Sequence, residues 1–312
     1  MKKIFIDGKA GTTGLRIYER LEDRRDIELI TLSEELRKDP EARKNAINSA
    51  DVAFLCLPDA AARESVAMVE NPNTVIIDTS TAHRTNPAFA YGFPELSSKF
   101  AEKIKTSKRI AVPGCHASGF IALVYPLIES GMLSPDAKLT CHSITGYSGG
   151  GKKMIEEYKA EGRDALLDAP RQYGLTQTHK HLPEMQAVTG LENAPIFCPI
   201  VSDFYSGMVV TVPIFASDLA GGATVADIKA LYEKKYQGPI VNYTETMDES
   251  GFISGAGASM KDDMQISVFG NAERILLVAR YDNLGKGASG AAIQNLNMVL
   301  GADITEGLDL SK

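Results

Sequence analysis

Positive charge is what this sequence is short of. Its 33 Lys and Arg stand against 40 Asp and Glu, a net charge of -7, so no whole-molecule field draws in a polyanion and nucleic acid is not an expected partner. A local cationic pocket for a phosphorylated metabolite stays open. No stretch approaches the roughly 18 consecutive apolar residues of a membrane span. The apolar run behind Met1-Lys2-Lys3 stops at Asp7, too short for a signal-peptide core. The expectation is a cytoplasmic protein with no membrane partner. Cysteine is sparse as well: Cys56, Cys115, Cys141 and Cys198 lie far apart with no Cys-x-x-Cys pair, which argues against a disulfide framework or a zinc site. Repeats, low-complexity tracts and long linkers are missing too. What remains is 312 residues at 44% hydrophobic and 23% charged, an ordinary globular chain with room for two domains.

The first third alternates strands with helices. Residues 3–7 read as a strand that runs into Gly8-Lys9-Ala10-Gly11-Thr12-Thr13-Gly14; Leu15, Ile17, Tyr18 and Leu21 then give a helix its apolar face, and residues 27–32 form a second strand. Further strands are expected at 51–57, 74–78 and 109–112, with a helix around 60–69. Strands apolar on both faces that alternate with helices indicate a parallel sheet covered on both sides. After Gly131 the rhythm changes to longer alternating segments, at 139–145, 196–201, 208–215, 240–243, 265–269 and 275–281, interrupted by one helix near 225–236. The fold class is therefore α/β: a Rossmann-type parallel-sheet domain plus an α+β domain built on a mostly antiparallel sheet. A last helix, about 289–300, carries an apolar face that needs a surface to cover.

The Gly8–Gly14 turn has Gly-x-x-Gly-x-x-Gly spacing, which is not the Gly-x-Gly-x-x-Gly dinucleotide fingerprint but stands in the same strand-turn-helix context. Glycines there let the backbone approach a pyrophosphate, whose charge a helix N-terminus favours; the competing reading is a tight turn with no ligand. After the second strand, Ser33-Glu34-Glu35-Leu36-Arg37-Lys38 offers both signs of charge. An acid there serves an NAD ribose and a base serves the 2'-phosphate of NADP, and Ser33, Arg37 and Lys38 tip the choice to NADP.

Cys115 sits in Val112-Pro113-Gly114-Cys115-His116-Ala117-Ser118-Gly119, after a strand and before an apolar helical series. A thiol at a helix N-terminus is favoured as thiolate, and neighbouring glycines leave room for a carbonyl and for amides facing an oxyanion. The other three cysteines lie in apolar runs and read as buried hydrophobes. A thiol nucleophile needs an acid or base, and five histidines are available: His83, His116, His142, His179 and His181. His179 and His181 share a polar stretch; no third ligand accompanies them, so acid-base work outranks a metal site. Sequence alone does not say which histidine faces the thiol. Asp78 to Arg84 follows a parallel strand at the end where ligands bind, and Arg84 has the chemistry to clamp a phosphate or carboxylate. Gly146 to Lys153 is glycine-rich without P-loop spacing, open to reading as an anion loop or a hinge. Pro126 is expected to kink its helix.

Taken in order, Gly8–Gly14, Asp78-Thr-Ser-Thr-Ala-His-Arg84, Tyr91-Gly-Phe-Pro-Glu95, Pro113-Gly-Cys-His116, His179-Lys-His-Leu-Pro-Glu184 and Asp282-Asn-Leu-Gly-Lys-Gly-Ala288 resemble the N-acetyl-gamma-glutamyl-phosphate reductases in their shorter bacterial form, within the semialdehyde dehydrogenase superfamily. The resemblance spans nearly the whole chain. It departs from the longer family form at Lys9, where that form has small residues. The resemblance implies an NADP-binding domain at 1–113 plus 285–312 and a catalytic and oligomerisation domain at 114–284. It implies Cys115 as nucleophile and His181 as acid-base residue. Cofactor contacts would come from Gly8, Gly11, Thr12, Thr13, Gly14, Ser33 and Arg37, with Asn283 and Gly285 near the nicotinamide; substrate contacts would come from Arg84, His179 and Glu184. No metal is implied.

The implied reaction is NADPH-dependent reductive dephosphorylation of N-acetyl-glutamyl 5-phosphate to the 5-semialdehyde in arginine biosynthesis, through a cysteine thioester and with release of inorganic phosphate, by a homodimer or homotetramer. Aspartate-semialdehyde dehydrogenase and aminoadipyl-phosphate reductase share that chemistry on other acyl chains. A cysteine hydrolase would dispense with the nucleotide, and a non-catalytic nucleotide-binding regulator would dispense with the thiol.

Overall fold

In the computed structural model, which describes residues 1–311, the chain divides into two units: 1–113 with 288–308, and 114–287 with 309–311. This differs from the sequence division in where 285–287 and the last residues fall. Ser311 explains part of it, because its amide donates to Asp263 Oδ1 at 2.8 Å and so belongs with the second unit.

The first unit is built on β1 (Lys2–Asp7), α1 (Thr12–Leu21), β2 (Ile27–Ile30), α2 (Pro40–Ser49), β3 (Val52–Leu55), α3 (Asp59–Ala67), β4 (Val75–Asp78), β5 (Ala90–Tyr91), α4 (Ser98–Thr106) and β6 (Arg109–Ala111). The strands form one parallel sheet in the order β2-β1-β3-β4-β6-β5. Every residue of β3 and β4 is buried, as expected of strands covered on both faces. Ile4, Ile17, Leu21, Phe54 and Ile77 form one core layer, and the C-terminal helix Gly290–Leu300 closes it with Ala291, Ile293 and Leu296. Phe5, Ile47, Leu55 and Ile76 form the layer on the opposite face. Burying Ile293 and Leu296 contributes about 1.5–3 kcal/mol each, which is why that helix returns here across the length of the chain.

The second unit comprises α5 (Cys115–Glu129), β7 (Thr140–Gly146), α6 (Gly151–Lys159), β8 (Arg171–Gln172), α7 (Leu182–Thr189), β9 (Ile196–Ser202), β10 (Met208–Phe215), α8 (Val225–Lys235), β11 (Val241–Tyr243), β12 (Met264–Gly270) and β13 (Arg274–Tyr281). Its sheet runs β11-β12-β13-β10-β7-β9-β8; the β11–β12 and β7–β9 pairs are parallel and the other neighbours antiparallel. The mostly antiparallel sheet of the sequence reading is present, with α6 and α7 as additional helices. No described helix is long and apolar enough to cross a membrane.

Pro126 lies inside α5 and does not end it. A proline has no N–H to give the carbonyl four residues earlier, here that of Ala122. Tyr236, just past α8, supplies the missing donor: its hydroxyl donates to Ala122 O at 2.6 Å, and Tyr232 on α8 donates likewise to Leu123 O. Tyr236→Phe is expected to destabilise the fold by about 1–3 kcal/mol, the cost of a buried carbonyl left unsatisfied. Pro126→Ala, which restores the amide, is expected to shrink that loss when the two changes are combined. Urea denaturation of the four proteins in the cycle checks it.

Candidate active site

In the first unit the chain leaves β1 at Asp7, whose carboxylate is buried and bound to Arg43 Nη2 and Ser65 Oγ, both at 2.9 Å. Gly8 then turns with φ +86°, and a Cβ there would stand 2.3 Å from the Cys56 carbonyl oxygen, so only glycine fits. Gly14, in the first turn of α1, lies so close to Gly8 that a Cβ would come 2.5 Å from its carbonyl oxygen. Beside this turn lies a cavity of about 500 Å³ lined by Gly8, Lys9, Tyr18, Arg37, Lys38 and Arg43 among others. Lys9 Nζ rests 3.0 Å from the centre of the Tyr18 ring, a cation–π contact, and Arg37 pairs with Glu34 at 2.5 Å. The cavity has the size of a nucleotide moiety and a cationic wall at the end of β2, so its residues fit a phosphorylated dinucleotide. Gly11, Thr12, Thr13 and Gly14 form the start of α1 outside its lining. Ser33 is exposed, also outside the lining, and contributes its carbonyl to the turn that carries Arg37.

The segment after β4 is a knot of internal bonds. Asp78 accepts from the Ser80 amide and hydroxyl at 2.9 and 2.8 Å and holds His83 Nδ1 at 2.6 Å. Arg84 donates to the carbonyls of Val112 at 2.9 Å and Thr79 at 3.0 Å. These bonds to backbone tie the segment to the chain entering Pro113.

In the second unit, α5 begins at Cys115, which is half-buried. The Gly114 amide donates to Glu184 Oε1 at 2.8 Å; Glu184 is buried in the first turn of α7, a helix opened by His181 at its N-cap and Pro183 just inside. The Tyr281 hydroxyl donates to the Cys115 carbonyl and accepts from the Gly119 amide at 2.9 Å. Burial holds that phenol well above its usual pKa, with the Cys115 charge adding to the effect, so it remains a donor. Gly287 passes so near that a Cβ would stand 3.0 Å from Cys115 Cβ. Its path is fixed by Asp282, wholly buried, which accepts from Ser206 Oγ and Met260 N at 2.6 Å, and from the Leu284 and Gly285 amides at 2.6 and 2.9 Å. Asn283 accepts from Gly207 N and donates to Ser148 Oγ, both at 2.9 Å, so its side chain also organises the backbone around this turn.

Three of the five histidines converge on α5. His116 and His181 are 5.6 Å apart between ring centres, His116 and His179 5.8 Å, and His179 and His181 4.8 Å. His83 belongs to the first unit, and His142 is exposed on the sheet. The loop that delivers His179 and His181 is clipped to β9 by Gln177, whose amide pairs with both Phe197 N and O at 2.9 and 2.8 Å. His179 Nδ1 accepts the His181 amide at 3.2 Å, and burial followed by Lys180 lowers its pKa. His116 contacts Ser143 Oγ through Nδ1 at 2.6 Å and Tyr173 Oη through Nε2 at 2.7 Å; burial, with a smaller effect from His179, pushes its pKa down to about 3. Among the described residues no group of three or more His, Cys, Asp or Glu is arranged to hold a metal.

The sequence reading missed Tyr281, Tyr173, Ser143, Arg43 and Ser65. They carry no local signal, since an aromatic, hydroxyl or arginine residue outside any motif reads as packing or surface until the fold supplies its partner.

Comparison with known proteins places this geometry in a class. Residues 3–106 match the family described as "Semialdehyde dehydrogenase, NAD binding domain" and residues 115–283 the one described as "Semialdehyde dehydrogenase, dimerisation domain". Aspartate semialdehyde dehydrogenase II from Vibrio cholerae, solved with ASA, shares the fold at TM-score 0.72 and 14% identity over 96% of this chain and 98% of its own. The enzyme from Candida albicans, solved with NADP, does so at TM-score 0.67 and 15% identity over 97% and 99%. Full-length relatives narrow the class. N-acetyl-gamma-glutamyl-phosphate reductase 2 of Pseudomonas putida is 43% identical over 96% of this chain and 97% of its own, and N-acetyl-gamma-glutamyl-phosphate reductase of Chelativorans sp. is 46% identical over 96% and 98%. The chain belongs to the N-acetyl-gamma-glutamyl-phosphate reductase family of semialdehyde dehydrogenases.

The burial of His116 sets a pH dependence. An unperturbed imidazole titrates at 6.5 and this one, folded, at about 3, so between those values the unfolded chain binds a proton that the folded chain refuses. The stability is fully present above pH 6.5 and lost as pH falls toward 3, at up to about 1.4 kcal/mol per pH unit. Chemical denaturation from neutral pH down to about 5 is expected to show a shallower loss for His116→Gln than for the parent.

Proposed function

We propose that this chain reduces N-acetyl-glutamyl 5-phosphate to N-acetyl-glutamate 5-semialdehyde and phosphate with NADPH, in the cytoplasm, as a step of arginine biosynthesis. One observation carries the reading: Cys115 opens α5 with its carbonyl held by Tyr281, the preceding amide held by Glu184, a bare Gly287 at its side, and His181 5.6 Å between ring centres from His116, the next residue of that helix.

His181 accepts the thiol proton, and the Cys115 sulfur attacks the acyl carbonyl. The carbon–oxygen bond to phosphate breaks, phosphate leaves with its electron pair, and a thioester on Cys115 remains. When bound, the reduced nicotinamide supplies the hydride that takes the acyl carbon to the aldehyde level. Cys115 then departs as thiolate, favoured by the N-terminal amides of α5, while His181 exchanges the proton at the acyl oxygen. Neutral His179, with Nδ1 accepting a backbone amide, carries its proton on Nε2 and can donate to the substrate. Glu184 and Arg84 act as positioning residues, the first on the Gly114 amide and the second on the Val112 carbonyl. Gly8 through Gly14 receive the pyrophosphate; Arg37 and Lys38, with Ser33, receive the 2'-phosphate. Asn283 and Gly285 shape the turn that carries Gly287.

The oligomer is a homodimer formed through the open face of the second sheet. Ile144, Ile196, Phe215 and Leu276 are 40–61% exposed there, and the strand register puts them on one side. A contiguous apolar face of this kind marks an interface.

Oxidation of N-acetyl-glutamate semialdehyde with phosphate and NADP⁺ is the direct assay. Cys115→Ser is expected to lower turnover by roughly 1,000-fold or more with NADPH affinity unchanged; near-parental turnover refutes the assignment, and equal kcat/KM for unacetylated aspartate semialdehyde refutes the substrate. Ile144→Glu with Leu276→Glu is expected to yield monomers in sedimentation velocity, and an unchanged dimer would rule out this face.

A further inference from the structure

The three imidazoles differ in what surrounds them, and His116 has a side-chain partner at each ring nitrogen, Ser143 at Nδ1 and Tyr173 at Nε2. Ser143 lies on β7 with no exposure, and its hydroxyl has one hydrogen-bond partner among the described residues, His116 Nδ1. If Nδ1 carried the ring proton and donated to Ser143, the serine proton would be left in the interior with no acceptor, an unfavourable arrangement. Ser143 therefore donates to Nδ1. The ring is neutral, since burial holds its pKa at about 3, so its single proton is on Nε2 and points to Tyr173 Oη at 2.7 Å. A phenol that accepts from His116 directs its own O–H elsewhere. Tyr173 is only partly buried; burial, with a smaller effect from the Cys115 charge, raises its pKa and keeps it protonated.

We propose that Tyr173 donates a hydrogen bond to the acyl oxygen of substrate held at Cys115, where negative charge develops, and that Ser143 and His116 are positioning residues that turn its proton there. The chain runs Ser143 Oγ–H to Nδ1, Nε2–H to Tyr173 Oη, and Tyr173 O–H to substrate. No proton changes owner; the chain sets direction, and a preorganised donor of this kind acts on the transition state.

The inference rests on Cys115 carrying the acyl group, and the two readings fail differently. Loss of the first leaves Cys115→Ser active; loss of this one leaves Cys115→Ser dead and Tyr173→Phe active. Tyr173→Phe is expected to lower kcat by about 100-fold with little change in KM. His116→Gln, which keeps an acceptor and a donor on one planar group, is expected to retain more activity than His116→Leu. Neither His116→Leu nor Ser143→Ala should lower kcat further once Tyr173 is Phe, whereas a purely structural role would make the losses multiply. Nitrogen-15 NMR of the histidine rings in the intact protein is expected to show His116 protonated on Nε2. Protonation on Nδ1, a Tyr173→Phe enzyme within about threefold of the parent kcat, or multiplying losses would each overturn the proposal.

Discussion

The start of α5 is pinned at three backbone atoms, and the placement of Cys115 in the second unit depends on it. A helix N-terminus leaves amides without intrahelical partners, and in a buried setting each one given a fixed partner also fixes the direction of those that remain. Here Glu184 takes the Gly114 amide, and Tyr281 takes both the Cys115 carbonyl and the Gly119 amide. The sulfur between them is thereby placed by the backbone that carries it. Even Pro126, further along the same helix, is absorbed by a tyrosine that gives its hydroxyl to the stranded carbonyl. Rigidity here comes from polar side chains reaching into a helix, in addition to apolar packing around it.

The imidazole cluster divides its labour by environment. His116 is shut away and stays neutral, His179 spares one nitrogen for a backbone amide, and His181 stands at the opening of α7, held by the loop that Gln177 clips to β9. Chemically identical rings within about 6 Å thereby take different roles, the usual outcome when burial and hydrogen bonding push titratable neighbours apart. The first unit uses the same principle on a charge: Asp7, beside the glycine turn, is neutralised by Arg43, so the end of β1 presents no net negative charge from that pair to a phosphate.

Much of the fold could be read before the structure. Strands apolar on both faces and the glycine turn marked the first unit, and alternating segments marked the second, because both patterns are local. The two-residue strands β5 and β8 are too short to show a period, and α6 and α7 follow glycine-rich or His-Pro-containing stretches that read as loops. Cys115 stood out through its neighbours in sequence. His181 was singled out only by resemblance, since nothing in His179-Lys-His181 says which ring turns toward the thiol. Tyr281, Tyr173 and Ser143 were invisible for a deeper reason: each is defined by a partner 27 to 166 positions away, and only the folded sheet brings such pairs together. Pro126 was expected to distort its helix; the compensating tyrosine lay more than a hundred positions downstream.

Gln177 has a second consequence, away from catalysis. Beyond the two residues paired with β8, strand β9 would present bare amide and carbonyl groups at Phe197 to any passing extended chain. The glutamine side chain fills both, acting as a one-residue false strand that seals the margin of the sheet. Exposed margins of that kind recruit foreign segments and seed aggregates. The contact that ties the histidine loop to the sheet thus also guards that margin, and a mutation of Gln177 would at the same time open a seam for misassembly.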